Sequence, residues 1–239
     1  MIILTLSTAD VFSHPMLSVT VEGETLHLLS EKGIYWPKEQ MLLVADVHWG
    51  KAATFRSSFL HLPKGTTSND LGLLSDMLDR TQARQLVFLG DLFHARAGKS
   101  RQTLQMIEGW RHIHRKVNML LVRGNHDRHA GDPPDALQIN CVNEPYEVGP
   151  FSFTHHPFEQ TIGYNLCGHV HPAVLLRGKG MQSLRLPCFY FGLRQGILPS
   201  FGTFTGSSPL QPGRHDRIYV VADQQVIPVP HPHETKSTH

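Results

Sequence analysis

Cysteine is scarce in this chain: its 239 residues include only Cys141, Cys167 and Cys188, with no Cys-x-x-Cys spacing. An odd number of scattered thiols excludes a disulfide framework and a thiolate zinc site, and it favours a cytoplasmic protein with reduced thiols. Long apolar runs are absent too, since none approaches the roughly 20 residues that a membrane span requires. Residues 1–6 are apolar, but the first basic residue is Lys32, so the sequence predicts neither a secretory signal nor a membrane protein.

Charge is also modest, at 18% charged residues and a net charge of +2, which by itself is no signature of nucleic-acid binding. The basic residues are unevenly spread. Residues 80–128 contain ten Lys or Arg against three acids, whereas residues 129–159 contain five acids and no Lys or Arg. Histidine, in contrast, is abundant, with 17 residues. Because histidine is the commonest metal ligand in proteins, metal binding is the first hypothesis.

The first half of the chain alternates between predicted strands and predicted helices. Apolar runs without polar alternation predict strands buried on both faces at residues 41–46, 85–91 and 117–125. Between the first two, Ser68 is predicted to N-cap a helix, and residues 100–115 predict a second helix. This order predicts a layered α/β fold with its site at the carboxyl ends of the strands.

The second half shows no helical period. Short runs separated by Gly, Pro and Asn predict a second, mostly antiparallel sheet, with strands at residues 151–154, 164–167, 173–177, 184–191, 196–204 and 217–222. No linker or repeat interrupts the sequence. We therefore expect a single domain over residues 1–239, with a loose tail from about residue 231.

Five short motifs carry the residue types of a metal centre. In chain order they are Asp46-Val-His48, Gly90-Asp91, Gly124-Asn125-His126-Asp127, His155-His156 and Gly168-His169-Val-His171. Each motif alone is compatible with an ordinary turn. Three of them follow predicted strands directly, however, and their oxygen and imidazole ligands suit Mn, Fe, Zn or a similar divalent ion. These ligands are too many for one ion, and two ions about 3.5–4 Å apart that share a carboxylate accommodate them.

In this order the motifs resemble those of the calcineurin-like metallophosphoesterase superfamily. A narrower resemblance, over roughly residues 20–225, is to the ligase-associated DNA damage response endonucleases of bacteria, the PdeM family. It rests on the stretches Asp46-Val-His-Trp-Gly-Lys51, Gly90-Asp-Leu-Phe-His94, Thr154-His-His-Pro157, Leu186-Pro-Cys-Phe189 and Ile197-Leu-Pro-Ser-Phe-Gly-Thr-Phe-Thr-Gly206. The resemblance implies a four-layer α-β-β-α sandwich, in which two mixed sheets are flanked by helices.

The resemblance also implies a role for each motif residue. One ion would be held by Asp46, His48 and His171, and the other by Asn125, His155 and His169, with Asp91 bridging them. Mn²⁺ is the expected metal, with Fe, Zn or Mg as alternatives. A hydroxide shared by the two ions would attack phosphorus, and His126, beside Asp127, would act as the general acid for the leaving group. The choice of His155 over its neighbour His156 follows the family's placement of this ligand at a strand end.

One position departs from the family pattern. Many members carry a second Asp three residues after the bridging one, which orients the catalytic His, and here His94 occupies that position. Either Asp127 or His94 is left to orient His126. Substrate contacts are assigned more loosely to the residues near the predicted ligands, where a solvated surface charge is an equal alternative for the three basic ones: Lys51, Arg56, Arg123, His94 and His156.

The leading function is a dinuclear-metal phosphodiesterase or endonuclease that hydrolyses DNA. From the resemblance, we expect a role in DNA repair, in functional association with a DNA ligase and a helicase. The alternative within enzymes is a phosphodiesterase or phosphomonoesterase for small molecules such as nucleotides. The alternative from another class is a catalytically inactive scaffold with this fold, which is disfavoured because none of the seven expected ligands is missing.

Overall fold

The computed structural model describes residues 16–57, 65–158, 160–177, 183–203 and 205–230. The tail expected from about residue 231 lies outside the described residues. Among these residues, no helix has the length and apolar composition of a membrane-spanning helix.

The first sheet has seven strands in the order of the chain. The strands are β1 (Leu17–Val21), β2 (Glu24–Leu28), β3 (Ile34–Trp36), β4 (Met41–Ala45), β5 (Gln85–Leu89), β6 (Asn118–Val122) and β7 (Ile139–Val142). Strands β1 to β4 pair in antiparallel fashion, and β4 to β7 pair in parallel. The carboxyl ends of β4, β5 and β6 therefore lie at one edge of the sheet, as the apolar runs predicted.

Four helices lie in the connections of the parallel strands: α1 (Lys51–Ser57), α2 (Thr66–Thr81), α3 (Arg101–Ile113) and α4 (Asn125–Ala130). Leu74 of α2 and Ile107 of α3 pack with Phe88 on the outer face of the first sheet. Helix α3 begins after Ser100, whose hydroxyl accepts a hydrogen bond from the Thr103 amide. The predicted N-cap at Ser68 is wrong, because the N-cap is Gly65, three residues earlier, in a left-handed conformation.

The second sheet has nine strands and is mixed. They are β8 (Tyr146–Val148), β9 (Phe151–Phe153), β10 (Tyr164–Cys167), β11 (Pro172–Arg177), β12 (Ser183–Phe191), β13 (Gln195–Ile197), β14 (Ser208–Pro209), β15 (Arg217–Ala222) and β16 (Gln225–Val229). Most pairs are antiparallel, as predicted, but β10 is parallel to both of its neighbours, β9 and β13. The run predicted at residues 196–204 is a strand only to Ile197, because the chain then turns to hydrogen-bond the loop after β4.

The two sheets pack face to face over one core that includes Leu43 and Val87 of the first and Phe153, Leu166 and Phe189 of the second. The prediction of an α/β fold built from two mixed sheets is thus confirmed. The helices of the described residues all precede β7, because only the parallel first half needs helical crossovers. At one edge the sheets are joined by an isolated bridge between Ala45 and Ser200, directly before Asp46.

Candidate metal centre

The predicted ligands converge at the edge where the two sheets meet. Asp46 follows β4, Asp91 follows β5 after one glycine, and Asn125 follows β6 after Arg123 and Gly124. The second sheet contributes from β9 and β10, whose parallel pairing brings His155 and His169 to the same edge. The parallel strand ends therefore assemble side chains that lie more than 120 residues apart in the chain.

One group of ligand atoms surrounds Asp46. Its Oδ1 lies 3.3 Å from Nε2 of His171, and Nε2 of His48 lies 3.8 Å from Oδ2 of Asp91. The side chain of Asp46 is fully buried, yet its Oδ1 makes no hydrogen bond. Buried polar atoms are normally satisfied, so this oxygen is available to a cation.

A second group surrounds Nε2 of His155. This nitrogen lies 2.9 Å from Oδ1 of Asn125, 3.1 Å from Nδ1 of His169 and 3.4 Å from Oδ1 of Asp91. The two carboxylate oxygens of Asp91 thus face different groups, Oδ1 towards His155 and Oδ2 towards His48. A bridging carboxylate has this arrangement.

The donor set fits a pair of divalent ions. Sets of three side chains have ligand atoms within 4.8 Å of one another, among them Asp46 with His48 and His171, and Asp46 with Asp91 and His155. Burial lowers the pKa of His48 to about 2 and of His155 to about 4, which keeps both imidazoles in the neutral form that binds metal. Burial also raises the pKa of Asp91 to about 7, so a cation beside this carboxylate would relieve an uncompensated buried charge.

The glycines of three motifs let the ligands approach the backbone. A Cβ atom on Gly90 would lie 2.1 Å from Nδ1 of His155, and one on Gly124 would lie 2.4 Å from Oδ1 of Asp91. A Cβ atom on Gly168 would lie 2.6 Å from Oδ2 of Asp46. The motifs therefore require glycine because a ligand side chain occupies the space of the missing methyl group.

Gly168→Ala is expected to weaken Mn²⁺ binding about 10–100-fold, because the new methyl group displaces the carboxylate of Asp46. The size of the effect is that seen when a residue that hydrogen-bonds a metal ligand is lost. The backbone of Gly168 is not in the left-handed region, so the effect is steric. Metal titration by calorimetry measures it. Gly72→Ala is the control: its Cβ would meet nothing within 4 Å in α2, and it should stabilise the fold by about 0.5–1 kcal/mol. Unchanged metal affinity in Gly168→Ala would contradict the packing argument.

His155 and His156 have different surroundings. The ring of His155 is fully buried and directed at Asn125 and Asp91, whereas Nδ1 of His156 bonds the Glu144 carboxylate at 2.9 Å. Glu144 also accepts hydrogen bonds from the His155 and His156 amides, at 2.8 and 3.1 Å. The sequence did not predict this role of Glu144. The only related signal was the excess of acidic residues in the segment 129–159.

His126 is oriented by a backbone carbonyl. Its Nδ1 lies 2.7 Å from the carbonyl oxygen of His94, and its Nε2 lies 3.9 Å from Oδ2 of Asp91. The rings of Phe55, His94 and His126 form a stack, with centroids 5.6 and 5.3 Å apart. The sequence left Asp127 or His94 to orient His126. The structure places His94 against the His126 ring, through both its carbonyl oxygen and its imidazole.

Asp127 does not contact the ring of His126, contrary to one reading of the sequence. Its buried carboxylate accepts hydrogen bonds from the amides of Asp91, Leu92 and Gly124, at 2.7, 3.0 and 2.9 Å. Burial raises the pKa of Asp127, and these amide donors oppose that rise. Its direct contacts hold the Asp91 loop against the start of α4, which is a positioning role.

The expected substrate contacts are unequal. Lys51 is partly exposed at the start of α1, with its Nζ 5.9 Å from the Phe55 ring centroid. Arg123 forms two 2.7 Å hydrogen bonds to Asp132, so its guanidinium already has a carboxylate partner. The side chain of Arg56 lies outside the described part of the chain.

Arg111 is one of the basic residues of the 80–128 segment. It is buried and donates to two carbonyls, so its side chain is not on the surface where DNA could contact it.

Comparisons with known proteins find a family and a solved nuclease structure that this chain resembles. The model of the calcineurin-like phosphoesterase family matches residues 40–210. The crystal structure of the Pseudomonas putida nuclease MPE is 40% identical, has a TM-score of 0.81, and covers 90% of this chain and 100% of that one. The Escherichia coli phosphoesterase YfcE is 17% identical with a TM-score of 0.37, covering 80% of this chain and 98% of that one. A search of curated proteins finds no match.

The family predicted from the five motifs is thereby confirmed, and so is the class of enzyme. A family match across most of the chain and a nuclease neighbour over 90% of it agree with the His and Asp clusters at the strand ends. The chain belongs to the calcineurin-like phosphoesterase family and is a hydrolase of phosphoric ester bonds.

Proposed function

We propose that this protein is a dinuclear-metal endonuclease that hydrolyses phosphodiester bonds of DNA. The observation that carries the proposal is Asp91, whose two carboxylate oxygens face two separate groups of ligand atoms. The DNA substrate is supported by the similarity to the nuclease of Pseudomonas putida. Mn²⁺ is the proposed metal, because the ligands are oxygen and imidazole nitrogen and include no thiolate.

The chain's residues divide the chemistry between them. Two bound divalent ions would supply an acidified water as the nucleophile and would neutralise charge on the phosphoryl oxygens. Asp46, His48 and His171 would hold one ion, Asn125, His155 and His169 would hold the other, and Asp91 would bridge them. Asp127 fixes the Asp91 loop, and Glu144 fixes the amides of His155 and His156.

His126 is proposed as the general acid for the leaving oxygen. With Nδ1–H donating to the carbonyl of His94, its Nε2 is directed to the side of the centre where Asp91 lies. In the doubly protonated ring, Nε2–H is then the proton that can pass to the departing alkoxide. The side chain of His126 is 37% exposed, so substrate can reach it.

The setting of this activity is proposed from the sequence resemblance alone. It comprises DNA repair, a cytoplasmic location and functional association with a DNA ligase and a helicase. No contact in the described residues bears on these partners.

The test is cleavage by purified protein reconstituted with Mn²⁺. Single-stranded DNA, duplex DNA and bis-p-nitrophenyl phosphate are compared at several salt concentrations. We expect cleavage of internal DNA bonds, with binding that weakens with salt because each neutralised phosphate releases counterions. Turnover of the nitrophenyl ester or of nucleotides without any DNA cleavage would replace this proposal with the small-molecule alternative. No turnover of any substrate, with both ions bound, would favour the inactive scaffold.

A further inference from the structure

A cavity of about 210 Å³ adjoins the candidate metal centre. Its lining includes Lys32, His171, Gly202 and four residues with hydroxyl groups, among them Ser200 and Thr203. His171 belongs to the ligand group around Asp46, and the amide of Gly202 donates to the carbonyl of Asp46 at 3.1 Å. The cavity and the metal centre therefore share one wall.

Lys32 is a half-buried cation without an ion pair. Its Nζ donates to the carbonyl of Phe201 at 2.7 Å, and no carboxylate of the described residues lies within the 4 Å of a salt bridge. Lys38 pairs with Glu24 and Arg80 pairs with Glu31. The buried Arg111 has no carboxylate partner either, but it donates to two carbonyls, whereas Lys32 donates to one and lines a cavity. A half-buried charge without an ion pair loses part of its solvation, so its position on the cavity wall points to an anion that binds there.

The remaining lining suits an anion. Among the described lining residues none carries a carboxylate, and four carry hydroxyl groups. The carboxylate that acts on Lys32 is that of Asp70, which is buried and accepts the Thr203 hydroxyl at 3.0 Å. Burial lowers the pKa of Lys32 to about 8, which leaves the ammonium mostly charged at neutral pH. Two of its three N–H groups are free of the Phe201 carbonyl and can reach a ligand.

The volume limits the ligand. Pockets for drug-sized molecules measure about 300–1,000 Å³, so a cavity of about 210 Å³ is too small for a nucleoside with its phosphate. A water occupies about 30 Å³ in the liquid, so one phosphate group with a few waters fits. The cavity suits a single anionic group that enters beside the metal centre.

We propose that Lys32 and the hydroxyl-lined cavity beside His171 bind a non-scissile internal phosphate of the DNA strand, the neighbour of the phosphate held at the metal centre. This inference rests on the proposed function and deepens it. The preferred substrate is then a strand with at least two consecutive phosphates, because the second phosphate supplies the counter-charge that Lys32 lacks. A diester with one phosphate would bind the metal centre alone.

Binding to metal-free protein tests the subsite without catalysis. Lys32→Met keeps the length of the side chain and removes its charge. For fluorescein-labelled oligothymidylate measured by anisotropy, we expect Lys32→Met to bind about tenfold more weakly, as for a lost charged hydrogen bond. The slope of log affinity against log salt should fall by about 0.7, the value for one phosphate contact on a single strand. Lys38→Met, at the opposite end of β4, should change neither quantity.

Kinetics with Mn²⁺ distinguish the sources of the phosphate. On the unphosphorylated trinucleotide TpTpT, Lys32→Met should raise KM about tenfold with little change in kcat, while TpT and bis-p-nitrophenyl phosphate should be unaffected. An effect on 5′-phosphorylated pTpT but not on TpTpT would overturn the internal phosphate in favour of a terminal one. An equal loss on all substrates, with a lower Tm, would make Lys32 a structural anchor of the Phe201 loop and would also overturn the proposal.

Asp70→Asn provides a test of opposite sign. It removes the carboxylate that opposes an anion near Lys32, while the amide oxygen can still accept the Thr203 hydroxyl. We expect tighter oligothymidylate binding by metal-free protein. Weaker binding in both variants would contradict the subsite. If wild-type protein binds DNA with the Lys32-dependent salt slope but never cleaves it, the proposed function fails while the subsite stands.

Discussion

Asp91→Asn is expected to lose both metal ions and all measurable phosphodiesterase activity. The amide keeps the shape of the carboxylate and can still accept the hydrogen bond that Asp91 receives from the His126 amide at 2.9 Å. It carries no charge, however, and it places an NH₂ group on one of the two ligand sets. A loss well beyond the 10–100-fold of a supporting residue is expected, since Asp91 contacts both sets. Elemental analysis after dialysis against Mn²⁺, and bis-p-nitrophenyl phosphate turnover, measure the two effects.

The control for this variant is Asp76→Asn, which makes the same change at an exposed position of α2. It should keep two ions per chain and full activity. Two ions in Asp91→Asn, or no more than one ion per chain in saturated wild-type protein, would contradict the bridging role. The second outcome would contradict the dinuclear centre as a whole.

The edge of the fold that carries the site was predictable because the signals there are side chains at strand ends. The apolar runs ending at Ala45 and Leu89 placed Asp46 and Asp91 at one edge. Parallel pairing of β10 was not predictable, because short runs in the second half carry no sign of their neighbour's direction. The chain turns after Ile197 because backbone amides there donate hydrogen bonds to carbonyls of Ala45 and Asp46. Backbone hydrogen bonds do not depend on residue type, so the sequence did not predict this turn.

The supporting groups of the site were harder to predict than its ligands. The orientation of His126 depends on a carbonyl of His94 that any residue would offer. Asp127 lies next to His126 in sequence, yet its carboxylate is directed at amides of the Asp91 loop, as the start of a helix favours. Glu144 accepts a hydrogen bond from the His155 amide, 11 residues away in the chain, and Lys32 donates one to the Phe201 carbonyl, 169 residues away. Such contacts follow from tertiary packing, so no local sequence pattern predicts them.

His126→Ala is expected to separate the acid from the ligands. Its ring is close to the ligands, with ligand atoms grouped near those of His48 and His94, but it is not one of the seven proposed ligands, so both ions should remain bound. Protonation of the leaving oxygen is worth roughly 10²–10⁴-fold, and DNA cleavage should fall by that factor. A p-nitrophenolate leaving group needs the proton far less than a sugar alkoxide does. Turnover of bis-p-nitrophenyl phosphate should therefore be largely spared.

His129→Ala is the matched control, because His129 lies on the same short helix with its Nδ1 2.8 Å from the Asn125 carbonyl. It should leave both substrates unchanged. His94→Ala removes the imidazole from the ring stack but keeps the carbonyl that holds Nδ1 of His126, so its loss on DNA should be smaller than that of His126→Ala. Equal losses on both substrates in His126→Ala, with two ions still bound, would reject the leaving-group role. His126 would then position the phosphate, and His94, which stacks on it, would become the candidate acid.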